Sequence, residues 1–405
     1  MSIHKDPQYY KFCFYGFLKN LRFFEAFFIL YLRQKGLSYT EIGSLYALRE
    51  LVTNFSEVPT GIIADTYGRK KSLVFSFVAY IISFLLFFTG SSYLWFLGAF
   101  LLYGLGDAFR SGTHKAMIMD YLKMKGWSSQ KIDYYGHTRA CSQRGSALSS
   151  LIAGWIVFIS GDYQMIFLLS VIPYLINMFL ILSYPAELDT SVRKKYLSIK
   201  DSLRDLRRVL KTPGLWKIMH SAAVFTAYQK AVKDYIQPVM KQVALALPFL
   251  WAFQADKRTG LFIGLMYFIL YLLTSQASLS AGKWERYFQN LPLKTLWVGF
   301  LAGVLGGYFF HLNNCFLSLL FFALIYIIES LRKPVLTGYL SDQVPNEILA
   351  SVLSAQSLYR TLLTSVLAVT FGYVADILGL GYALVVVSGV LLLLSLFAGR
   401  KLHVK

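Results

Sequence analysis

The chain of 405 residues is 56% hydrophobic and 17% aromatic, and only 15% of its residues are charged. Soluble domains average about 45 to 50% apolar and about 25% charged residues, so this composition excludes an ordinary water-soluble enzyme. The net charge of +19 comes from 40 basic against 21 acidic residues, an excess that in a membrane protein is typical of cytoplasmic loops. The three cysteines stand far apart in apolar segments, which indicates free thiols instead of disulfides or a zinc site.

Twelve apolar segments along the chain are each long enough to cross a bilayer, which takes about 20 helical residues. The longest hydrophilic stretch, 187–212, divides them into six and six. We therefore predict an all-α integral membrane protein with twelve transmembrane helices in two six-helix bundles, 1–190 and 213–405, joined by a linker at 191–212. The predicted spans are 11–32, 40–62, 71–90, 93–118, 135–159, 162–183, 214–241, 259–280, 293–312, 314–337, 347–370 and 380–398.

The basic residues predict how the chain is oriented. The linker carries leucines at helical spacing on one face and Lys and Arg on the other, which indicates an amphipathic helix on an anionic leaflet. Turns on the same side are basic, such as GRKK at 68–71 and KWER at 283–286, whereas the turns SSYLW, SGDYQ and HLNN contain no Lys or Arg. The positive-inside rule then predicts that both termini are cytoplasmic, in a plasma membrane of the prokaryotic inner-membrane type.

Two spaced patterns recur in corresponding spans of the two halves. In the fourth and tenth spans an acid is followed by Arg after three positions and by Asp after thirteen, and in the fifth and eleventh an Arg is followed by Ser after five. These echoes indicate that the halves are structural repeats, which place a substrate site near the bilayer midplane at their interface. The patterns comprise Asp107, Arg110 and Asp120 with Glu329, Arg332 and Asp342, and Arg144 and Ser149 with Arg360 and Ser365.

A motif at the inner end of the second span reads EVPTGIIADTYGRKK. Gly61 precedes Asp65 by four positions, and Gly68, Arg69 and Lys70 follow. Glycines let helices approach closely or turn tightly, and the acid and the bases can form ion pairs. The segment closely resembles the G-x-x-x-D-x-x-G-R-[RK] signature of the major facilitator superfamily, the loop between its second and third helices. The twelve-span plan is similar to that family over essentially the entire chain.

The resemblance implies a gate. In the family the acid and the arginine of the motif help to lock the cytoplasmic side in one state, so Asp65 and Arg69 are expected to do so here, with Asp120 as the partner of Arg69. The equivalent turn of the second half, SAGKWERYF, lacks the acid. The alternative is that the bases only mark a cytoplasmic helix end. The candidate gate residues are Gly61, Asp65, Gly68, Arg69, Lys70 and Asp120.

Ionisable residues occur at membrane depth in many of the predicted spans. Because a charge at the bilayer centre is costly, such residues are expected to face the bundle interior or a wet cavity and to bind partners or ligands. Pairs three residues apart, such as Arg22 with Glu25, are equally well explained as ion pairs that stabilise the helices. The candidate substrate-binding residues are Arg22, Asp107, Arg110, Arg144, Lys230, Lys233, Glu329 and Arg360, and the candidate proton-accepting residues are Glu25 and Glu50.

Arg144 and Arg360 differ from these pairs, since neither has an acid within four positions. The proposed repeat relates the two residues across the halves. A planar guanidinium suits a carboxylate or phosphate through two parallel hydrogen bonds. We therefore expect both arginines to hold one anionic group of a substrate.

Together these features predict a secondary active transporter of a small organic anion or zwitterion that works by alternating access, with proton coupling as an open option. Efflux of an amphipathic, drug-like compound and a non-transporting receptor or scaffold on the same fold are the alternatives. The sequence contains no Ser-His-Asp grouping, P-loop or HExxH pattern, so neither an ATP-driven pump nor an intramembrane protease has support. We expect no enzyme, no cofactor and no nucleic-acid partner, and a monomer in the lipid bilayer. A copper path at His114, Met117 and Met119 is a further alternative to ordinary packing.

Overall fold

The computed structural model describes most of the chain, and its regular structure in the described ranges is helical and contains no β-strand. Those ranges are 4–189, 213–248, 252–287, 291–343 and 346–399. The amphipathic helix predicted in the linker at 191–212 lies outside them. The helices are α1 (Pro7–Leu18), α2 (Phe28–Gln34), α3 (Tyr39–Tyr67), α4 (Arg69–Thr89), α5 (Tyr93–Arg110), α6 (Thr113–Met124), α7 (Lys131–Ser160), α8 (Met165–Leu182), α9 (Pro213–Val232), α10 (Ile236–Ala246), α11 (Ala255–Tyr287), α12 (Leu291–His311), α13 (Cys315–Gln343), α14 (Asn346–Leu378) and α15 (Leu380–Gly399).

The twelve predicted spans correspond to these helices, several of which extend beyond the predicted ends by a turn or two. For the first, fourth and seventh spans, however, the prediction of a continuous helix is wrong. The first span consists of α1 and α2 joined through a 3-10 turn at Phe23–Ala26, and the seventh consists of α9 and α10 joined through a 3-10 turn at Lys233–Tyr235. The fourth consists of α5 and α6, which are separated at Gly112, where φ is +72°.

Side chains from neighbouring helices stabilise two of these interruptions. A helix can break at membrane depth when other groups satisfy the freed backbone. The Tyr174 hydroxyl donates to the carbonyl oxygen of Lys19 at 2.9 Å, and the Tyr326 hydroxyl donates to the carbonyl oxygen of Lys233 at 2.9 Å. The first and seventh spans, which occupy the same place in the two halves, are thus interrupted in the same way.

Within the described ranges, six helical segments satisfy both the length and the apolarity required to cross a bilayer. Among the remaining helices, α3 carries Arg49, Glu50 and Glu57 in its length, and four others are the short pieces of interrupted spans. The chain is thus an integral membrane protein with polar residues concentrated in particular helices. The six segments are Arg69–Thr89, Met165–Leu182, Ala255–Glu285, Leu293–His311, Cys315–Leu336 and Val352–Leu378.

The chain packs into two compact units, and their boundaries fall inside α2, α3 and α11. Each unit therefore contains part of all three helices. The division into bundles at 1–190 and 213–405 stays a prediction. Unit 1 comprises Met1–Tyr31, Leu51–Tyr196 and Gln254–Phe268, and unit 2 comprises Leu32–Glu50, Leu197–Phe253 and Ile269–Lys405.

Aromatic rings form the core of unit 1. Phe28 stacks on Phe100 with ring centroids 5.2 Å apart, and Phe24 stacks on Phe167 at 5.3 Å. Each such pair contributes about 0.5 to 1.5 kcal/mol beyond the burial of its surface. These rings hold the region between α1 and α2 against α5 and α8, which fixes the interrupted first span.

Glycines in unit 2 admit large side chains from neighbouring helices. The Tyr228 hydroxyl contacts Ser388 Oγ at 2.6 Å, and a β-carbon at Gly303 would overlap both of these groups. A β-carbon at Gly299 would likewise overlap the ring of Phe225. Because no side chain separates them, α9, α12 and α15 approach closely and leave the polar residues of α9 on other faces of the helix.

Candidate functional site

The GIIADTYGRKK motif forms a buried corner where α3 leads into α4. Gly68 has a φ of +106°, which L side chains rarely adopt, and α4 begins at the next residue. Arg69 is 2% exposed; its Nε donates to Asp65 Oδ1 at 3.1 Å, and its Nη1 donates to Asp120 Oδ2. The guanidinium thereby joins α3, α4 and α6 within unit 1. This is the pairing that the resemblance implies, and its gating role is a proposal.

Asp189 completes this corner, and sequence reasoning missed it. Its Oδ1 accepts a hydrogen bond at 2.8 Å from the backbone N–H of Lys70, in the first turn of α4, where a negative charge is favourable. Lys70 Nζ donates to the carbonyl oxygen of Tyr184 at 2.9 Å. A side chain at Gly68 would overlap the Asp189 carboxylate. Gly61 lies half-buried earlier in α3. An acid directly after the sixth span was the available signal, but no spacing connects it to the motif.

Arg22 lies in the interruption of the first span and is already well bonded. Its Nη1 donates to Glu25 Oε1 at 3.0 Å and to the Tyr103 hydroxyl at 2.9 Å. Its Nε donates to the carbonyl oxygen of Lys19 at 3.3 Å. The guanidinium therefore stabilises the non-helical backbone, which favours the alternative of a structural ion pair at Arg22 and Glu25.

Asp107 and Arg110 of α5 form a second closed network in unit 1. The Tyr80 hydroxyl donates to Asp107 Oδ1 at 2.5 Å, and Arg110 Nη2 donates to the same oxygen at 3.1 Å. Arg110 Nε also donates to the Tyr80 hydroxyl at 2.9 Å. Three groups thus satisfy one another, which again favours ion pairing over direct substrate binding.

Arg144 is different, because its side chain is exposed on α7. A β-carbon at the next residue, Gly145, would overlap the backbone of Phe17, so α7 lies directly against α1 at this level. No hydrogen bond or ion pair joins Arg144 to another residue in the described part of the chain. Its guanidinium is therefore available to a ligand.

Glu50 and Lys230 form an ion pair in unit 2, between α3 and α9. Lys230 Nζ lies 3.0 Å from Glu50 Oε1 and 2.8 Å from Oε2. The side chains of Lys230 and Glu50 remain 34% and 23% exposed, respectively, so the protein does not fully enclose the pair. A carboxylate that faces both water and an ammonium group can lose its partner without becoming isolated in an apolar medium.

Arg360 of α14 lies in the same unit without a direct acidic partner. Its Nη2 donates to Ser357 Oγ at 3.1 Å, and its Nε is buried without an acceptor. Of the residues that the structure describes, none places a carboxylate within ion-pair distance of this guanidinium. Glu50 and Glu329 are near enough for electrostatic interaction with it. The half-buried guanidinium is a ready site for an anion.

Glu329 of α13 is 8% exposed and accepts one hydrogen bond, from Thr226 Oγ1 at 2.8 Å. Arg332, one turn further along, has a structural role instead, because it is 1% exposed and donates to Thr295 Oγ1 at 2.9 Å and to the Ser221 carbonyl oxygen at 3.0 Å. We call Glu50, Lys230, Glu329 and Arg360 the unit 2 polar cluster. The acid of the α13 pattern, Glu329, thus belongs to this cluster, whereas its arginine, Arg332, lies in the core.

Lys233 lies in the 3-10 turn that interrupts the seventh span, where its Nζ is 3.5 Å from Asp234 Oδ1. Its side chain is 36% exposed. Its backbone carbonyl accepts the Tyr326 hydroxyl, so this residue is part of the interruption itself. A charged residue at a break has the same placement here as Arg22 has in the first span.

His114 packs as an aromatic residue. Its ring stacks on that of Tyr15 with centroids 3.6 Å apart, and its Nε2 is 3.2 Å from the Tyr184 hydroxyl. Met117 is fully buried on the same helix. In the described ranges, no group of three or more His, Cys, Asp or Glu side chains is arranged to hold a metal ion. The contacts of His114 therefore favour packing over a copper path.

Comparison with known proteins agrees with this architecture. The family model described as Major Facilitator Superfamily matches residues 13–369. An uncharacterized MFS-type transporter, YxaM of Bacillus subtilis (strain 168), is 24% identical over 384 residues, which cover 91% of this chain and 89% of that protein.

Several solved transporters share the fold at low sequence identity. The nucleoside transporter NupG has a TM-score of 0.72 at 14% identity over 98% of this chain and 97% of its own. A POT family transporter in complex with 5-aminolevulinic acid has a TM-score of 0.74 at 12% identity, covering 96% and 95%. A D-xylose-proton symporter has a TM-score of 0.65 at 16% identity, covering 95% and 96%. With the buried Arg69 corner, the interrupted spans and the match over most of its length, this chain belongs to the major facilitator superfamily and is a membrane transporter of that type.

Proposed function

We propose that this transporter carries a small organic anion or zwitterion by alternating access of its two halves. The observation that carries the proposal is Arg360, a half-buried guanidinium whose hydrogen-bond partner is Ser357 and not a carboxylate. A charge at membrane depth that no carboxylate pairs with directly is costly, and a bound anion lowers that cost. The site therefore favours a ligand that supplies the negative group.

Arg144 supports the same class of ligand from unit 1. It is exposed, and within the described ranges it makes no ion pair, unlike Arg22 and Arg110, whose guanidinium groups already have acidic partners. An arginine fork holds a carboxylate or phosphate through two parallel hydrogen bonds. In this proposal Arg22, Asp107 and Arg110 hold the helices of the site in position, and Arg144 and Arg360 contact the substrate.

Glu329 widens the ligand class to zwitterions. Its buried carboxylate has one hydrogen-bond donor, Thr226, and interacts electrostatically with Arg360 without forming an ion pair with it. An acid and a base that stay separate in one polar cluster can receive the amine and the carboxylate of a single ligand. A simple anion would use Arg360 alone.

Proton coupling is part of the proposal, and Glu50 is its first candidate. Its carboxylate is held by Lys230 and is still partly exposed to water, so protonation would release the ammonium group for another anion. Glu25 is the second candidate, held by Arg22 in unit 1. If a proton and the charged group of the substrate bind at the same ion pair, the binding of one changes the affinity for the other, which couples proton and substrate binding.

The proposed location is a plasma membrane of the inner-membrane type with both termini cytoplasmic, which the basic turns support. Two other functions on this fold make different predictions. A drug exporter would bind its substrate mainly through apolar contacts, and a scaffold would bind no transported substrate.

Counterflow into proteoliposomes tests the function directly. Purified protein is first screened by thermal shift against aliphatic carboxylates, amino acids, phosphate esters and amphipathic cations, and the stabilising compounds are then tested as radiolabelled substrates. We expect anions or zwitterions to stabilise the protein and to exchange. Exchange of amphipathic cations alone would indicate drug efflux, and a protein that neither binds nor exchanges any class would indicate the scaffold.

A further inference from the structure

The motif at the end of α3 has a second copy at the end of α14. The first reads GIIADTYG at 61–68 and the copy reads GYVADILG at 372–379, so that glycine, alanine, aspartate and glycine recur at identical spacing. The closing glycines, Gly68 and Gly379, have φ values of +106° and +86°, and a new helix begins directly after each. The two segments therefore share both sequence and backbone geometry.

The copy lies at the other membrane face. α3 runs antiparallel to α14, because Gly372 lies against Tyr39 and Gly43 lies against Ala368. Asp376 thus meets the start of α3, whereas Asp65 lies 26 residues later in the same helix. At about 1.5 Å per residue, this separates the two acids by about 40 Å along the helix axis. In the orientation predicted from the basic turns, the copy faces the outside.

The acid of the copy has different partners from the acid of the first motif. No base follows Gly379 as Arg69 follows Gly68. Asp376 instead accepts hydrogen bonds from the backbone N–H of Tyr39 at 2.8 Å, from the backbone N–H of Thr40 at 2.7 Å and from Thr40 Oγ1 at 2.6 Å. A carboxylate from one helix therefore caps the first turn of another, where unpaired N–H groups favour negative charge.

Close backbone packing accompanies this cap. A β-carbon at Gly372 would overlap the Tyr39 carbonyl and lie 3.0 Å from Thr40 Cα, and a β-carbon at Gly43 would lie 3.3 Å from Val369 Cα. Further along, Ser365 Oγ donates to the carbonyl oxygen of Ala47 at 3.4 Å. The contact is an extended seam in unit 2 rather than a single hydrogen-bonded corner.

We propose that residues 372–379 form a latch, in which Asp376 holds the start of α3 against α14 and must release it when the transporter opens at this face. The role in a transport cycle rests on the proposed function, but the contact itself does not. Asp376 is exposed, so water can replace its donors one at a time. A latch of this kind is strong enough to bias a conformational equilibrium and weak enough to open in every cycle.

Hydrogen–deuterium exchange of the full-length protein tests the latch without any substrate. The variants are Asp376→Asn, which keeps the size but replaces one accepting oxygen by a donor, and Gly372→Ala, which forces the two helices apart. Matched controls are Asp133→Asn, an exposed acid on α7, and Gly98→Ala, a helical glycine whose β-carbon would have nothing within 4 Å. Loss of hydrogen bonds to a charged group predicts exchange that is about threefold to tenfold faster in peptides covering 39–47 and 365–379.

The outcomes separate the latch from its rivals. Faster exchange in both segments for both variants, with the controls equal to wild type, supports the latch. Unchanged exchange in both variants overturns it, and so does an increase spread evenly over all helices, which would report general destabilisation. Because the readout needs no ligand, failure to find an anionic substrate would contradict the proposed function and leave this result intact.

Discussion

Removing the Arg69 side chain should destabilise unit 1 far more than removing a neighbouring charge. Arg69 is 2% exposed and its guanidinium contacts Asp65, which is 7% exposed, and Asp120. Arg69→Ala leaves two acids near one another without their shared cation. Deleting one partner of a buried ion pair costs about 3 to 5 kcal/mol. Lys123 lies 4.0 Å from Asp120 and offsets part of that cost, so the lower end, about 3 kcal/mol, is expected.

The control is Lys71→Ala, which removes the same charge from an exposed position two residues away. Surface substitutions of this kind change stability by less than about 0.5 kcal/mol. The assay is reversible unfolding in mixed micelles followed by circular dichroism, with Asp120→Asn and the double variant completing a cycle. We expect a coupling energy of about 1 to 3 kcal/mol between Arg69 and Asp120. Equal stabilities of Arg69→Ala and Lys71→Ala, or a coupling energy near zero, would refute the reasoning.

Three further predictions concern the gate corner and proton coupling. Asp65→Asn should leave the protein folded but change the accessibility of engineered cysteines from the two membrane sides, and unchanged labelling would count against the gate. Asp189→Ala should lower the unfolding free energy by about 0.5 to 2 kcal/mol through loss of the α4 cap, measured by the same unfolding assay; a loss no larger than that of Asp133→Ala, at an exposed acid on α7, would contradict the cap. Glu50→Gln and Glu25→Gln should each be tested for uptake driven by a pH gradient and for counterflow. The coupling residue should lose the former and keep the latter, whereas full gradient-driven uptake by both variants would exclude both acids.

The sequence predicted the helical spans well because their signal is the bulk apolarity that a bilayer requires. It failed at the first, fourth and seventh spans. At the first and seventh the chain breaks at Lys19 and Lys233, where the hydroxyls of Tyr174 and Tyr326 satisfy the freed carbonyl groups. These tyrosines are about 90 to 160 residues distant in sequence from the breaks, so no local pattern indicates the contact.

The candidate site divides in the same way. The pairing of Arg69 with Asp65 followed from a motif, because the two residues are four positions apart and the family signature is specific. By contrast, the pairing of Glu50 with Lys230 joins residues 180 positions apart, and no spacing predicts which acid meets which base. Asp107 and Glu329 are each followed by an arginine after three positions, but the two arginines have different partners. Arg110 pairs with Asp107, whereas Arg332 lies in the core.

The second GxxADxxG segment shows what pattern reading can overlook. Its sequence is as regular as that of the first motif, but it lacks the bases that make the first one recognisable. Its partners are backbone N–H groups of Tyr39 and Thr40, which carry no sequence signature. The capping role of Asp376 therefore follows from the antiparallel contact of α3 with α14 and not from the sequence pattern.

The affinity of an exchanged substrate for Arg360→Lys tests the central claim most directly. Lysine keeps the positive charge but loses the planar fork, so affinity should fall by about 1.5 to 3 kcal/mol, or roughly tenfold to a hundredfold. Arg144→Lys should have a similar effect, and Arg33→Lys, at the end of α2, serves as the control. The measurement is calorimetric or scintillation-proximity binding of the substrate found by counterflow. Weaker binding by Arg144→Lys and Arg360→Lys, with the control unchanged, is the predicted result; equal affinities in all three variants and wild type would contradict the claim that these arginines hold the substrate.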